Sequence, residues 1–280
     1  MKYKRINDVL PFNKIGESLS FGDAMLLKQN IPFTHRTTNK NGINKQIGHA
    51  RHLTKVHHDI ESFFSILSTI GHKERYGNIL QDDKRVEQLI NIYTTIHQKY
   101  AFTDTLYALR SWDHYAYSHS FDVFILGTCL AQALSLKNLE VIALGYLFHD
   151  IGKIKTPQHI LHKPDKLSPA EFDTIKAHTF DGEAILYALK QSHIAKYARS
   201  HHERLDGSGY PDGLFAEQLS PEMRILQLVD VYSALTLDRP YRQAMSAQDA
   251  LAILINDKDR FDQTMLQQFI KIININPFTN

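Results

Sequence analysis

His149 and Asp150 stand side by side at the end of an apolar run that begins at Val141, and Gly152 and Lys153 follow. An imidazole and a carboxylate at the end of a buried segment are costly to desolvate without a partner. A metal ion is such a partner, since it takes one nitrogen and one oxygen donor. Alone the dipeptide is common, and an ordinary buried hydrogen-bonded pair explains it equally well. Lys153 tips the balance, because a lysine beside a dry metal site suits a phosphate. A second pair, His201-His202, precedes the run Asp206-Gly-Ser-Gly-Tyr-Pro-Asp-Gly213. Glycines there let the backbone approach a ligand closely or take positive φ, so the run could wall a substrate cleft. His119 and His178, taken singly, read as structural histidines. Asp230 lies within Leu228-Val229-Asp230-Val231, and a carboxylate in such surroundings calls for a cation. Together His119, His149, Asp150, His178, His201, His202 and Asp230 offer nitrogen and oxygen donors and no thiolate. That donor set suits two divalent ions, Fe, Mn, Zn or similar, better than a structural zinc cluster, and the ligands alone do not choose among them. Fe or Mn is the expectation, with Zn, Ni, Co or Mg as alternatives.

These residues must be brought together by helices. Apolar spacing predicts a long helix over 115–136, carrying His119, and a second over Leu139 to Phe148 that delivers His149-Asp150. Ser168-Pro-Ala-Glu171 is a capping box with proline at the first helical position, opening a helix to about Leu189 that carries His178. A short helix from Ile194 brings up His201 and His202. Ser220-Pro-Glu222 caps the helix of Asp230, Ser246 starts another, and Phe261 to Ile273 forms the last. No βαβ alternation appears. The expected fold is all-α, a helical bundle over 99–280, preceded by a smaller, mainly helical module over 1–98. Helices are expected there from about 45 to 70 and from 83 to 100, with short strands conceivable before residue 45. His49, His52, His57 and His58 read as structural, because no acid or cysteine completes a site with them. The module's position and its lack of site residues suggest a regulatory or dimerising role.

With 280 residues, 43% apolar and 22% charged, the composition is that of an ordinary globular protein. A net charge of +2 leaves no basic field for a nucleic-acid polymer or a membrane surface. The single cysteine, Cys129, excludes an internal disulfide framework. The N-terminus lacks the apolar core of a signal peptide, and no stretch approaches the ~20 apolar residues of a membrane helix. A cytoplasmic protein is expected.

Combined, these motifs resemble an HD-GYP domain. The matching residues are His149-Asp-Ile-Gly-Lys153, His178 before Gly182, the stretch from His201-His-Glu through Gly-Tyr-Pro to Leu214, and Asp230-Val-Tyr-Ser-Ala-Leu-Thr-Leu-Asp-Arg-Pro-Tyr-Arg242. HD-GYP domains are the branch of the HD metal-dependent phosphohydrolases that degrades bacterial cyclic dinucleotides. The resemblance spans roughly residues 100 to 275 and not the first 95. It implies an HD-type bundle in which the seven residues above are the ligands, with Asp150 bridging two ions. Lys153, Tyr210, Arg239 and Arg242 match positions that line the dinucleotide site, with Asp113 as a further candidate. Two departures stand out. Relatives with three metals usually carry a glutamate where this chain has Tyr115, which argues for two ions. Many relatives carry an aspartate where this chain has Ser233, a change that bears on contacts behind the ligands.

The implied activity is hydrolysis of cyclic di-GMP to linear pGpG, with GMP as the further product, by hydroxide formed between the ions. Asp150 and Lys153 would be the catalytic residues, with Lys153 pairing with the phosphate. Another cyclic dinucleotide such as cyclic GMP-AMP is the alternative substrate. A non-catalytic sensor that signals through protein partners, at the N-terminal module or the Gly-Tyr-Pro loop, is the alternative class. A homodimer is compatible with either.

Overall fold

The computed structural model describes residues 63–67, 70, 74–100, 104–238 and 242–277. The chain divides into two compact units, one of Met1–His72 with Gln81–Lys99, the other of Lys73–Leu80 with Tyr100–Asn280. In the first, helix α1 (Asp83–Lys99) buries Val86, Leu89, Tyr93 and Ile96, a 3–4 residue spacing. The Tyr93 ring meets Phe63 at 5.4 Å. The strands considered before residue 45, the four histidines at 49–58 and most of the helix expected over 45–70 lie outside the described residues.

The second unit is built from α2 (Asp104–Trp112), α3 (His114–Ala133), α4 (Leu139–Phe148), α5 (Pro169–Lys176), α6 (His178–Ala188), α7 (Ser192–Ser200), α8 (Pro221–Thr236), α9 (Ala247–Asn256) and α10 (Gln263–Ile273). Among the described residues no strand forms, and an isolated antiparallel bridge joins Asp206 to Phe215. No described helix is long and apolar enough to cross a membrane.

Helix α3 is buried on all sides from Ala116 to Ala131, so it runs through the core and carries His119 and Asp122 into it. It packs against α2, α4, α8 and α10. Asp113 starts it: the carboxylate accepts from the Tyr115 and Ala116 N–H groups at 2.9 and 3.1 Å. Helix α4, with seven of its ten residues buried, ends at Phe148 and passes directly into His149 and Asp150. A 3-10 turn, Ile151–Lys155, follows and packs against α6. Gly152 permits that approach, because a Cβ there would lie 1.9 Å from the His178 carbonyl oxygen.

The single helix expected from 169 to 189 is in fact two, α5 and α6, broken at Ala177. Side chains compete for the backbone at the break: His178 Nδ1 donates to the Ile175 carbonyl at 2.6 Å, and Thr179 Oγ1 to that of Lys176 at 2.9 Å. The capping box forms as expected, with both reciprocal bonds between Ser168 and Glu171. Ser220 occupies the N-cap of α8 but makes no side-chain cap bond, and proline at the first position starts that helix. Helix α2 was not anticipated.

Candidate metal centre

The seven candidate side chains come from five places: α3 (His119), the end of α4 (His149, Asp150), the start of α6 (His178), the end of α7 (His201, His202) and the middle of α8 (Asp230). Their donor atoms converge on Asp150, which is buried. Asp150 Oδ1 lies 3.4 Å from His178 Nε2 and 3.5 Å from His201 Nε2. Asp150 Oδ2 lies 3.6 Å from His149 Nε2 and 3.8 Å from His119 Nε2. Asp230 spans the same centre: Oδ1 is 2.8 Å from His119 Nε2 and 3.5 Å from His149 Nε2, and Oδ2 is 3.7 Å from His202 Nδ1. Two overlapping groups result, Asp150 with His178, His201 and His202, and Asp150 with His119 and His149. Within each group the donor atoms lie within 4.8 Å of one another.

Protons decide what this cluster can do. A carbonyl oxygen only accepts, so a ring nitrogen bonded to one must carry hydrogen. His149 Nδ1 bonds the Tyr146 carbonyl at 2.7 Å, His178 Nδ1 that of Ile175, and His201 Nδ1 that of Ala198 at 2.9 Å. In the neutral ring this leaves a lone pair on each Nε2, turned toward the centre. His178 Nε2 and His201 Nε2 stand 3.1 Å apart, a distance at which two lone pairs repel. His149 Nε2 and Asp150 Oδ1 are buried with no hydrogen-bond partner. Acceptors facing acceptors in a dry interior are what a divalent cation resolves, and the donor set of imidazole and carboxylate fits one.

The charges agree. Burial pushes the Asp150 carboxyl up, but Lys153 and the surrounding histidines hold it well below the usual carboxylate range. Asp230 is likewise held low against burial, chiefly through His119 and His149. Burial depresses His178 to about 3. Burial also lowers His119, and burial with His201 alongside keeps His202 well below the usual value. His149 differs: burial lowers it, but Asp150 and Asp230 outweigh that and raise it. Lys153 Nζ donates to Asp150 Oδ2 at 2.5 Å, and this pairing outweighs burial to raise its pKa.

The expected substrate contacts are distributed unevenly. The Tyr210 ring lies 4.7 Å from that of His202, tilted by 33°. Arg242 is exposed, and its guanidinium donates to the Ala234 and Leu235 carbonyls at 2.7 and 3.4 Å, at the end of α8. Asp113 serves as the N-cap of α3. Arg239 lies outside the described residues. Tyr115, where a further carboxylate was considered, lays its ring parallel to His119 at 6.0 Å.

Residues not singled out in the sequence also build the site. Glu203 is fully buried and accepts from the backbone N–H groups of Asp212 and Leu214 at 2.7 and 2.9 Å, closing the Gly-Tyr-Pro loop back onto the histidine pair. Gly209 lets the loop lie flat, since a Cβ there would come 2.3 Å from the Glu203 Cα. Behind His119, Ser233 Oγ sits 2.9 Å from Nδ1 and bonds Asp122, which in turn pairs with Arg75. Asp122 had a legible signal, a carboxylate between Phe121 and Val123.

A family model described as an HD domain matches residues 106–265. The cyclic di-GMP phosphodiesterase PA4108 of Pseudomonas aeruginosa is 37% identical over 177 residues, 62% of this chain and 43% of that protein. The 3'3'-cGAMP-specific phosphodiesterase 1 of Vibrio cholerae is 42% identical over 144 residues, covering 50% of this chain and 33% of its own. The cyclic di-GMP phosphodiesterase response regulator RpfG of Xanthomonas campestris is 38% identical over 142 residues, 49% of this chain and 38% of that one. The chain thus spans less than half the length of each of these relatives. The match covers every helix that contributes to the cluster around Asp150, and the chain belongs to the HD domain family, in the HD-GYP branch marked by its Gly-Tyr-Pro loop.

Proposed function

We propose that the chain is a metal-dependent phosphodiesterase that opens cyclic di-GMP to linear pGpG, with GMP as a further product. The observation that carries this reading is the convergence of His178 Nε2 and His201 Nε2, 3.1 Å apart beside Asp150 Oδ1, with the Nδ1 of each ring already donating to a backbone carbonyl. One ion would be held by His119, His149, Asp150 and Asp230, the other by Asp150, His178, His201 and His202. Asp150 would be shared between them. Fe or Mn fits these donors, with Zn, Ni, Co or Mg as alternatives. Bound divalent cations supply Lewis acidity at a phosphodiester and acidify water.

The chain's own groups supply the rest. Asp150 and Asp230 remain ionised and balance the cations' charge. Lys153 Nζ, kept protonated by Asp150, would bind a phosphoryl oxygen and hold a proton for the 3′ leaving oxygen. Tyr210 would offer a ring face to a base, and Arg239 and Arg242 a second phosphate contact. Asp113, at the head of the helix that carries His119, would line the same site. The names of the relatives PA4108 and RpfG support cyclic di-GMP as the substrate. The name of the Vibrio cholerae relative gives 3'3'-cGAMP a specific claim as the alternative. Such a substrate and the reduced Cys129 fit the cytoplasm. The N-terminal unit would regulate or dimerise the protein. Removing residues 1–72 without effect on activity, oligomeric state or partner binding would end that assignment.

The deciding experiment reconstitutes metal-free protein with Mn or Fe and follows both dinucleotides by chromatography, wild type against Asp150→Ala. Faster turnover of cyclic di-GMP by wild type, abolished in the variant, is expected. Faster turnover of cGAMP selects the alternative substrate, and tight binding without turnover makes the protein a sensor.

A further inference from the structure

We propose that Ser233 and Asp122 are positioning residues for His119: they fix its proton on Nδ1 so that Nε2 faces the centre, and Arg75 holds Asp122 in place. The inference rests on the metal reading above for its consequence, but not for its geometry.

Three of the histidines around Asp150 have their tautomer set by the backbone, through the carbonyls of Tyr146, Ile175 and Ala198. At His119 the partner is a side chain. Ser233 Oγ lies 2.9 Å from His119 Nδ1, and a hydroxyl can either donate or accept. Its single proton is already committed, because Ser233 Oγ donates to Asp122 Oδ2. Toward His119 the oxygen can therefore only accept, which places hydrogen on Nδ1. Nε2 is thereby turned to the centre, 2.8 Å from Asp230 Oδ1.

Asp122 is fully buried and would not stay there unpaired. Its Oδ1 is met by the Arg75 guanidinium and the Tyr76 hydroxyl. Arg75 is itself anchored: Nη1 donates to Thr236 Oγ1 at 2.6 Å, and its carbonyl accepts from the Tyr232 hydroxyl at 2.6 Å. The chain of contacts thus runs from Glu74–Tyr76, a single 3-10 turn, through α3 and α8 to an imidazole of the centre. Partners behind a ligating histidine fix its ring and raise its basicity, and their loss typically weakens metal binding by roughly 10- to 100-fold. The carboxylate considered missing at position 233 is supplied from position 122, one hydroxyl further away.

The test uses the full chain, wild type, Ser233→Ala and Ser233→Thr. In metal-free protein labelled with ¹⁵N at histidine, the His119 ring shifts report the tautomer directly. Hydrogen on Nδ1 is expected in wild type, a mixed or Nε2–H ring in Ser233→Ala, and recovery in Ser233→Thr. Co(II) titration against a competing chelator should show one of two binding steps weakened roughly 10- to 100-fold in Ser233→Ala, with the other unchanged. Should Ser233→Thr distort the packing, Asp122→Asn provides the second variant, with the same ring shifts as readout. A wild-type His119 ring with no hydrogen on Nδ1, or a Ser233→Ala protein with unchanged ring shifts, overturns the proposal. Wild-type protein that takes up no Co(II) defeats the metal reading instead, and the ring shifts still decide the positioning role.

Discussion

Two buried polar clusters meet helix α3 three residues apart, at His119 and at Asp122, and they are put together on opposite rules. Around Asp122 each acceptor meets a donor: Arg75 and Tyr76 on one oxygen, Ser233 on the other. Around Asp150, Lys153 donates to Oδ2, but Oδ1 and His149 Nε2 find no hydrogen-bond partner. In the first cluster both carboxylate oxygens are matched within the chain, and the pairing contributes to the fold. The second leaves acceptors unmatched within the chain, an arrangement that a cation could complete. Burial alone does not separate the two, as Asp122 and Asp150 are both inaccessible to solvent. The direction in which protons point does.

The contrast breaks most visibly at Asp150. Replacing it with alanine removes the acceptor common to both candidate groups, and on the proposed function hydrolysis should fall by about 10⁴-fold or more with loss of bound metal from the purified protein. The metal-free variant should lose less stability than Arg75→Met does, because Lys153, which donates to Asp150, is partly exposed and can turn to solvent. Arg75→Met reverses the pattern. It strands a buried carboxylate, and urea denaturation of the metal-free protein should show a loss of about 3–5 kcal/mol. If the two substitutions cost metal-free protein the same, the distinction between the clusters is wrong. Lys153→Met comes next: metal content should persist while kcat falls by about 10²- to 10³-fold, the range for one lost donor to developing charge.

Much of the centre is legible in the sequence because its chemistry depends on residue type. His149-Asp150 and His201-His202 are adjacent pairs, and Asp230 is a charge inside an apolar run, so each stands out locally. Helix α4 is equally legible, since its apolar run ends where the histidine begins. The Asp122 cluster is hidden for a physical reason: Arg75 and Thr236, 161 positions apart, are joined by a bond that no local pattern encodes. The break at Ala177 is hidden too. Helical periodicity continues through it, and only the geometry shows His178 and Thr179 drawing the carbonyls of Ile175 and Lys176 away from the helix. Helix α2, nine residues long, is too short for apolar periodicity alone to set it apart.

Cation binding should sharpen the comparison at smaller scale. An ion that binds only the folded chain raises stability by about 2.7 kcal/mol at a hundred times its dissociation constant. Adding Mn to chelator-treated protein should therefore raise the melting temperature of wild type and of Arg75→Met, but not of Asp150→Ala. Equal shifts in all three would mean that the ion binds elsewhere.

The smallest effect is that of acid on metal-free protein. His178 is held down to about 3 by burial, whereas a histidine in an unfolded chain titrates near 6.5. As pH falls the unfolded chain takes the proton first. The stability that neutral His178 contributes is therefore complete above about pH 6.5 and lost progressively from there toward 3. At pH 5.5, one unit below the unfolded value, the loss is about 1.4 kcal/mol. His119 and His202, also lowered, act in the same direction, and the raised His149 opposes them. Arg75 titrates far above this range and adds nothing to the slope. Metal-free wild type and Arg75→Met should accordingly lose similar stability between pH 7.5 and 5.5, and His178→Gln should lose less. A metal-free protein that gains stability over that interval would show that the histidines around Asp150 are already protonated, and a cluster of imidazolium donors would no longer need a cation.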